Sequence, residues 1–339
     1  MQAPFKCLFP HCQTILLIGL SLFCCFASAS EFKSTIPQTV ATSLERNQIP
    51  KDAVSISVIE IEPSPAGKHS AKNILGWRAT EAMNPASTMK LITTLSGLDI
   101  LGPKYRWHTN LYTDGLIRQG TLKGNLYLQG TGDPKLIPEE LAKLMKELKN
   151  LGIQKIDGNL FFDRSAYSPS VMEHNTIDGE SLRAYNVPPD PLLYAFRTLS
   201  FQIGKSRTAD FIDISYTPTL SGLKVDNQMQ LVDRSCDSWK NSMRFNLDSG
   251  DGTTTNQALI AQFSGAFPNA CKGVNYNVVA LDANTFLTQG FTAAWELAGG
   301  VWAQPPTGKN GTVPLAARLL LQFEAVSYTH LTLPTTPYV

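Results

Sequence analysis

The chain has 339 residues, of which 43% are hydrophobic and 17% charged, and its formal net charge is +1. This composition is ordinary for a globular protein, and the length suggests two or more domains. The near-neutral charge argues against a protein that binds nucleic acid electrostatically, because such a protein needs a basic surface excess.

Residues 1–29 are predicted to form a secretory signal peptide. Lys6 supplies the positive charge, residues 14–26 are largely apolar, and Ala27-Ser28-Ala29 is a typical small-residue cleavage pattern. The apolar run is too short to span a membrane comfortably. The alternative is a lipoprotein signal ending at Cys25, but the residues before that cysteine are too large. We therefore expect an exported, periplasmic, soluble protein with at most peripheral membrane contact.

Two cysteines, Cys236 and Cys271, remain after the signal peptide is removed. In an oxidising compartment such a pair is most simply a disulfide, with free reactive thiols as the alternative. A metal site is not expected, because His69, His108 and His174 show no ligand spacing with one another or with the cysteines. We expect no cofactor.

The first elements predict a mixed α/β start. A helix is expected around residues 39–48, and the alternation over residues 54–61 predicts a strand that residues 74–78 could join in a hairpin. A second helix begins at Asn84-Pro85, a good N-cap followed by a proline suited to the first helical position, and ends before Gly102-Pro103. Its predicted core-facing side chains are Met89, Ile92, Leu95, Leu98 and Leu101.

Ser87 and Lys90 are three residues apart and therefore project from one face of the first turn of this helix. A nucleophilic serine needs a neighbour that accepts its proton, and a lysine can do so when burial or a helix N-terminus lowers its pKa. The spacing alone is weak evidence, because it also occurs at Ser30–Lys33 and Ser221–Lys224, and a solvated first turn is the alternative interpretation. Of the three serines, only Ser87 opens a convincing helix.

From Trp107 onward the pattern changes to short β segments with turns. The segment Gly130–Pro134 superficially resembles a phosphate loop, but a structural turn is favoured because the remaining motif residues are missing. Residues 138–151 form an amphipathic helix with the core stripe Leu141, Leu144, Met145, Leu148 and Leu151. The other predicted strands are 109–113, 120–123, 125–129, 153–163, 198–232 and 278–281, with a loop at 185–190 and a helix within 290–299.

These landmarks together resemble the D-alanyl-D-alanine carboxypeptidase/endopeptidase family of class C low-molecular-mass penicillin-binding proteins. The resemblance runs in order from about Ile49 to Glu324. In chain order the landmarks are Pro85–Leu91, Leu101–Arg106, Gly132–Pro134, residues 152–163, Tyr185–Asp190 and Gly311–Pro314. Several landmarks in the same order along the chain identify a family more specifically than the Ser-x-x-Lys spacing alone.

The resemblance implies an α/β fold, in which a penicillin-binding transpeptidase or β-lactamase-like domain is interrupted by a long two-part mixed α/β insertion. Residues 30–106 would be the N-terminal part of the catalytic domain, and residues 107–305 the inserted domains, with an inner domain at about 135–200. Residues 306–324 would return to the catalytic domain.

The resemblance also implies acyl transfer on peptidoglycan stem peptides. Ser87 would attack the penultimate D-Ala carbonyl, or a D-Ala to diaminopimelate crosslink, and Lys90 would accept the hydroxyl proton. Water would hydrolyse the acyl-enzyme, the Ser87 N–H would form half of an oxyanion hole, and β-lactams would acylate the same serine. The oligomeric state is not predicted.

The chain lacks two elements of the family pattern, Ser-x-Asn and Lys-Thr-Gly. Lys309-Asn310-Gly311 lacks the hydroxyl residue and is interpreted as a turn. The resemblance stops at Glu324, and Val326–Thr335, within the tail of residues 325–339, resembles a reading frame of a sequencing adapter, with a native edge strand as the alternative. We therefore expect a non-native tail, a missing C-terminal half of the catalytic domain, and an inactive chain as written. Resequencing the locus from unfragmented DNA tests this expectation, and a native frame continuing through Val339 would contradict it.

Two other functions remain open. One is a β-lactamase-like serine hydrolase on the related fold, which rapid deacylation would reveal. The other is a non-catalytic cell-wall-binding protein of the same fold, for which the true C-terminus would lack Ser-x-Asn and Lys-Thr-Gly. The polar residues Asp133, Arg106, Asp163 and Asp190 are interpreted as turn braces or structural ion partners rather than as substrate ligands.

Overall fold

A computed structural model describes residues 35–325 except residues 63–69, 173–177, 207–209 and 249–258. The predicted signal peptide and all but the first residue of the predicted non-native tail lie outside the described residues. The chain forms two compact units, Met1–Ile92 and Thr93–Val339. In the described part of the chain, no helix is both long enough and apolar enough to cross a membrane.

The first unit contains a helix and a hairpin, as the sequence predicts. Helix α1 (Gln38–Arg46) precedes strands β1 (Ile56–Glu62) and β2 (Ser70–Trp77). The two strands pair antiparallel. Helix α1 buries Ala41 and Leu44, which lie three residues apart on one helical face.

Helix α2 (Met89–Leu101) follows a 3₁₀ turn at Ala86–Thr88 and ends at Gly102, whose φ of +78° breaks the helix. The prediction that its apolar stripe faces a core is wrong for the described residues, because no residue of α2 is buried. Leu95, at the centre of that stripe, is 67% exposed. The reason is that no described element covers this apolar face.

The second unit is built from strands, two helices of 13 and 15 residues and two helices of four residues. Its helices are α3 (Pro138–Asn150), α4 (Pro169–Met172), α5 (Trp239–Ser242) and α6 (Ala283–Leu297). Its strands are β3 (His108–Thr113), β4 (Leu116–Arg118), β5 (Thr121–Lys123), β6 (Leu126–Gly130), β7 (Lys155–Asp157), β8 (Leu160–Asp163), β9 (Leu199–Lys205), β10 (Ile212–Thr217), β11 (Leu223–Val232), β12 (Met243–Asp248), β13 (Leu259–Pro268), β14 (Val274–Val278), β15 (Val301–Trp302), β16 (Gly308–Asn310) and β17 (Arg318–Glu324).

These strands form four sheets, with the orders β16-β8-β6-β3-β17, β15-β7-β5-β4, β10-β9-β14 and β11-β13-β12. In the five-stranded sheet β8 is parallel to both β6 and β16, whereas β3 is antiparallel to β6 and β17. Strands β16 and β17 belong to residues 306–324, so this segment pairs with strands of the predicted insertion. Its assignment to the catalytic domain stays a prediction.

Helices α3 and α6 supply much of the core of the second unit. Helix α3 buries Leu141, Leu144, Met145 and Leu148, in agreement with the predicted stripe. The fifth predicted member, Leu151, is 42% exposed because it lies at the C-cap, where the chain leaves the helix.

Helix α6 begins earlier than the sequence predicts. Asp282 accepts hydrogen bonds at 3.0 Å from the N–H groups of Asn284 and Thr285, and this N-cap starts the helix at Ala283 rather than near Gly290. Trp295, on the same helix, is completely buried.

One strand prediction and one turn prediction need correction. The strand expected at residues 278–281 lies at Val274–Val278, where antiparallel pairing with β9 sets its register. The turn expected at Lys309-Asn310-Gly311 is instead strand β16 through Asn310, because parallel pairing with β8 satisfies its backbone groups. A short polar edge strand has no hydrophobic alternation from which to predict it.

A chain of hydrogen bonds between polar side chains crosses the five-stranded sheet. Gln322 Nε2 donates to Asn110 Oδ1 at 3.1 Å, and Asn110 Nδ2 donates to Gln129 Oε1 at 3.2 Å. Gln129 Nε2 then donates to Asp163 Oδ2 at 3.1 Å. The carboxylate also accepts the N–H of Val313 at 2.9 Å, and Asp163 is only 2% exposed.

Asp163 should make the second unit sensitive to acid. Burial by itself raises the pKa of Asp163, but hydrogen bonds from Ser165, Val313 and Gln129 together outweigh burial and hold the pKa below its usual range. Because the pKa of Asp163 is lower in the folded chain than in the unfolded chain, the ionised side chain stabilises the fold above the unfolded pKa, which is near 3.8. This stabilisation is lost as the pH falls through the folded pKa.

We therefore expect that urea midpoints of the unaltered protein fall below about pH 4, and that Asp163→Asn shows a smaller fall over the same range. The matched control is Asp157→Asn, at an exposed position on β7, which should keep the acid dependence of the unaltered protein. Identical acid dependence of Asp163→Asn and the unaltered protein would contradict this role for Asp163.

The predicted disulfide is confirmed. Cys236 and Cys271 are joined, with 5.0 Å between their Cα atoms and 35 residues of sequence separation. The bond links the start of a 3₁₀ turn before α5 to the loop after β13. It therefore fixes both ends of a segment that contains β12 and β13.

Removing this bond should destabilise the second unit. In the chain-entropy model a loop of this length contributes about 3–4 kcal/mol, because the bond restricts the unfolded chain. We expect Cys236→Ser/Cys271→Ser to lower the free energy of unfolding by about this amount in a urea titration followed by circular dichroism. A double variant with an unchanged midpoint would contradict the prediction.

Candidate active site

Ser87 lies in the 3₁₀ turn that leads into α2, and Lys90 lies in the first turn of the helix. Lys90 Nζ donates a hydrogen bond to Ser87 Oγ at 3.2 Å. The contact is local and follows from the i, i+3 spacing on a helical turn. The two residues therefore lie together as the sequence predicts, although their catalytic roles stay a prediction.

The turn before Ser87 has a specific local construction. Asn84 Oδ1 accepts the Ala86 N–H at 2.9 Å, and the Thr88 N–H donates to Pro85 O at 2.9 Å. Ala86 has a φ of +43°, a left-handed conformation that costs a residue with a side chain free energy. Backbone strain of this kind is concentrated at functional sites, so its position directly before Ser87 supports a functional interpretation.

Ser87 and Lys90 are both exposed among the described residues. An exposed hydroxyl at the start of a helix is accessible to a substrate carbonyl, and nearby backbone N–H groups carry the positive end of the helix dipole. The structure therefore places a hydroxyl and an amine in direct contact at an accessible helix start.

The other Ser-x-x-Lys pairs do not share this setting. Ser30–Lys33 lies outside the described residues. Ser221 lies in the turn before β11, where its Oγ donates to Glu296 Oε2 at 3.1 Å. That hydrogen bond ties the turn to α6, which is a structural role.

The other polar candidates have structural contacts. Asp133 accepts the Lys135 N–H at 2.8 Å and so braces the predicted turn, and its burial raises its pKa. Arg106 donates to the backbone carbonyls of Lys104 and Tyr105, both at 3.2 Å.

Asp190 forms an ion pair, in agreement with its interpretation as a structural ion partner, but the sequence did not identify Arg164 as the partner. Arg164 Nε donates to both oxygens of Asp190 at 2.9 Å, and only 10% of the Arg164 side chain is exposed. A single arginine after a predicted strand carries no sequence signal for this contact. Among the described residues, no group of three or more His, Cys, Asp or Glu side chains could hold a metal ion.

Comparison with known proteins places the chain in a family. Residues 38–325 match the profile of the D-Ala-D-Ala carboxypeptidase 3 (S13) family. The D-alanyl-D-alanine carboxypeptidase DacB of Haemophilus influenzae is 34% identical over 116 residues, which cover 34% of this chain and 24% of that protein. The D-alanyl-D-alanine carboxypeptidase of Actinomadura sp. (strain R39) is 26% identical over 147 residues, covering 43% of this chain and 26% of the relative.

The fold is also similar to a solved structure. The crystal structure of penicillin binding protein 4 (dacB) from Haemophilus influenzae has a TM-score of 0.57 at 20% identity, covering 81% of this chain and 57% of that chain. The same protein complexed with a β-lactam gives a TM-score of 0.51 at 17% identity. The chain thus spans about a quarter of the curated relatives and just over half of the solved chains. The profile match over most of its length makes this mixed α/β chain a member of the D-Ala-D-Ala carboxypeptidase 3 (S13) family.

Proposed function

We propose that the chain carries the acylating pair of a periplasmic serine D,D-peptidase that acts on peptidoglycan stem peptides. The observation that carries the proposal is the 3.2 Å contact between Lys90 Nζ and Ser87 Oγ at the start of α2. Membership of the D-Ala-D-Ala carboxypeptidase 3 (S13) family supports a peptidase role for this contact. The names of the two curated relatives support the carboxypeptidase activity.

The reaction begins with attack of Ser87 Oγ on the penultimate D-Ala carbonyl. The hydroxyl proton moves to Lys90 Nζ, which lies 3.2 Å from Ser87 Oγ. This step requires an unprotonated amine that accepts the hydrogen bond from the Ser87 hydroxyl. The bond to the terminal D-Ala nitrogen then breaks, and the proton held by Lys90 Nζ passes to that nitrogen as the amine leaves. Water then attacks the ester carbon and gives one proton to Lys90 Nζ. The bond from the acyl carbon to Ser87 Oγ breaks, this proton passes from Lys90 to Ser87 Oγ, and the shortened peptide leaves with the hydroxyl of the water as its new carboxyl group.

The helix start also suits the charge that develops during attack. Backbone N–H groups at an α-helix N-terminus stabilise an oxyanion, and the Ser87 N–H is one such donor. We propose it as half of the oxyanion hole. The other half would come from outside the described residues.

The domain arrangement is part of the proposal. Residues 30–106 would begin the catalytic domain, and the exposed apolar face of α2 supports this because such a face requires a covering element. β-Lactams would acylate Ser87, consistent with the β-lactam complex of penicillin binding protein 4. Cleavage of D-Ala to diaminopimelate crosslinks would follow the same route.

The test uses the native gene product, read from unfragmented DNA, with purified muropeptides. We expect loss of one terminal D-Ala from pentapeptides and conversion of crosslinked dimers to monomers, both followed by mass spectrometry. Release of D-Ala without dimer cleavage would reject the endopeptidase part. Release of neither product would reject the proposed function.

A further inference from the structure

A cavity of about 310 Å³ lies in the second unit, and two arginines that the proposed reaction does not use line it. Arg164 reaches it from the end of β8, and Arg197 from the turn before β9. We call it the Arg164–Arg197 cavity. Its lining also includes the carboxylates Asp190 and Asp282 and the apolar residues Val187, Pro188, Pro189 and Leu193.

Arg164 is held rigidly at this cavity. Its Nε binds Asp190, and its Nη1 donates to Asn284 Oδ1 at 2.8 Å and to Asn310 Oδ1 at 2.6 Å. The guanidinium carbon lies 5.3 Å from the centre of the Phe162 ring. Its Nη2 is buried and has no hydrogen-bond partner within the described ranges. Arg164 is therefore positioned in advance with one donor unused.

The charge of Arg197 has fewer stabilising contacts than that of Arg164. Its Nε is also buried without a hydrogen-bond partner, and its guanidinium forms no ion pair with a carboxylate of the described segments. Burial lowers the pKa of Arg197, and the more distant charges of Asp190 and Asp282 oppose this lowering. A half-buried cation without a partner costs free energy, and a bound anion would offset this cost.

The backbone that carries Arg197 is strained. Ala195, Phe196 and Arg197 have φ values of +45°, +54° and +51°, three left-handed residues in succession and none of them glycine. The turn is held by the Ala195 N–H, which donates to Leu136 O at 2.8 Å, and by the Thr198 N–H, which donates to Ala195 O at 3.1 Å. Such strain persists only where the surroundings impose it, and it is concentrated at binding sites.

The lining suggests the chemistry of the missing partner. A carboxylate offers two coplanar acceptor oxygens, and guanidinium N–H groups bind it with strong directional hydrogen bonds. The lining also includes the apolar side chains of Val187, Pro188, Pro189 and Leu193, which we call the apolar wall. The volume is at the lower end of the range for ligand pockets, which suits one or two small residues.

We propose that the Arg164–Arg197 cavity binds the terminal carboxylate of a short peptide that ends in a small apolar residue. The Arg164 and Arg197 guanidinium groups hold the carboxylate, and the apolar wall receives the side chain. Binding here involves no bond cleavage. The choice of a D-alanyl peptide as the probe rests on the proposed function, whereas the carboxylate site itself does not.

The test titrates the Ser87→Ala protein with N-acetyl-D-Ala-D-Ala, with the C-terminal amide of the same peptide, and with acetate. Affinity is measured by calorimetry, and the Nε–Hε resonance of Arg197 is followed by NMR. We expect saturable binding of the free acid that shifts this resonance, and at least tenfold weaker binding of both the amide and acetate. Equal binding of acid and amide, or of acid and acetate, would overturn the assignment.

A pair of variants separates binding from folding. Arg197→Gln should weaken binding of the free acid at least tenfold, whereas Arg118→Gln, at an exposed position on β4, should leave it unchanged. Without ligand, the Tm of Arg197→Gln should be equal to or higher than that of the unaltered protein, because an unpaired buried charge has been removed. A Tm lower by more than about 4 °C would assign Arg197 a structural role and overturn the proposal. Because Ser87 is absent throughout, failure here leaves the proposed reaction untouched.

Discussion

Replacing Lys90 with methionine should slow acylation of the native gene product by a fluorescent penicillin about a thousandfold, and replacing Ser87 with alanine should abolish it. Lys90 Nζ contacts Ser87 Oγ directly, and a positioned general base contributes roughly a hundredfold to ten-thousandfold to a reaction of this kind. Ser87→Ala removes the only atom to which the proposed acyl group is attached. A time course of labelling, quenched at intervals and read by fluorescence on a denaturing gel, measures both effects.

The matched controls come from the same chain. Ser221→Ala and Lys224→Met alter a pair with the same spacing, but Ser221 donates to Glu296 and lies in a turn. We expect both controls to label at the rate of the unaltered protein. If Lys90→Met labelled equally fast, Lys90 would not be the base; if Ser221→Ala abolished labelling, the wrong serine would have been assigned.

Replacing Trp295 with alanine should lower the free energy of unfolding of the second unit by about 3–5 kcal/mol. Trp295 is completely buried on α6, and its Nε1 donates to Val301 O at 3.2 Å. Lys149 Nζ of α3 lies 5.6 Å from the centre of its ring, so the side chain also joins the two helices. Gly300 lies so close to the ring that an added Cβ would be 2.0 Å from it.

A urea titration followed by far-ultraviolet circular dichroism measures this loss. The control is Leu297→Ala on the same helix, where the side chain is 77% exposed and the expected change is within about 0.5 kcal/mol. Equal losses for the two variants would show that burial of Trp295 does not stabilise the fold as described.

The elements that the sequence predicts correctly are those with a local signal. Helix α3 has a complete amphipathic stripe and acidic residues in its first turn, and the structure places it within one residue of its predicted end. Ser87 and Lys90 meet because three-residue spacing on a helical turn brings side chains together without help from the rest of the fold. The disulfide follows from cysteine count and compartment.

The features that the sequence misses depend on distant contacts. Strand β16 exists because β8 pairs with it, about 150 residues away along the chain. The binding of Arg164 to Asp190, Asn284 and Asn310 joins four separate segments. The left-handed turn that ends at Arg197 contains no glycine, so nothing in its residue types indicates positive φ values.

Helix α2 shows a different limit. Its apolar series predicts burial, yet no residue of this helix is buried in the part of the chain that the structure describes. Hydrophobic periodicity identifies which face of a helix is apolar, but burial of that face depends on a partner element. The sequence therefore predicts the helix correctly, but it predicts the packing of the helix wrongly.

The most direct test of the proposed function is to locate the acyl group. The native gene product is incubated with benzylpenicillin, digested, and analysed by tandem mass spectrometry. We expect one penicilloyl group per chain on Ser87, stable for long enough to be recovered, and none on the Ser87→Ala variant. Labelling at another serine, or no labelling of a folded native protein, would contradict the assignment of Ser87 as the nucleophile.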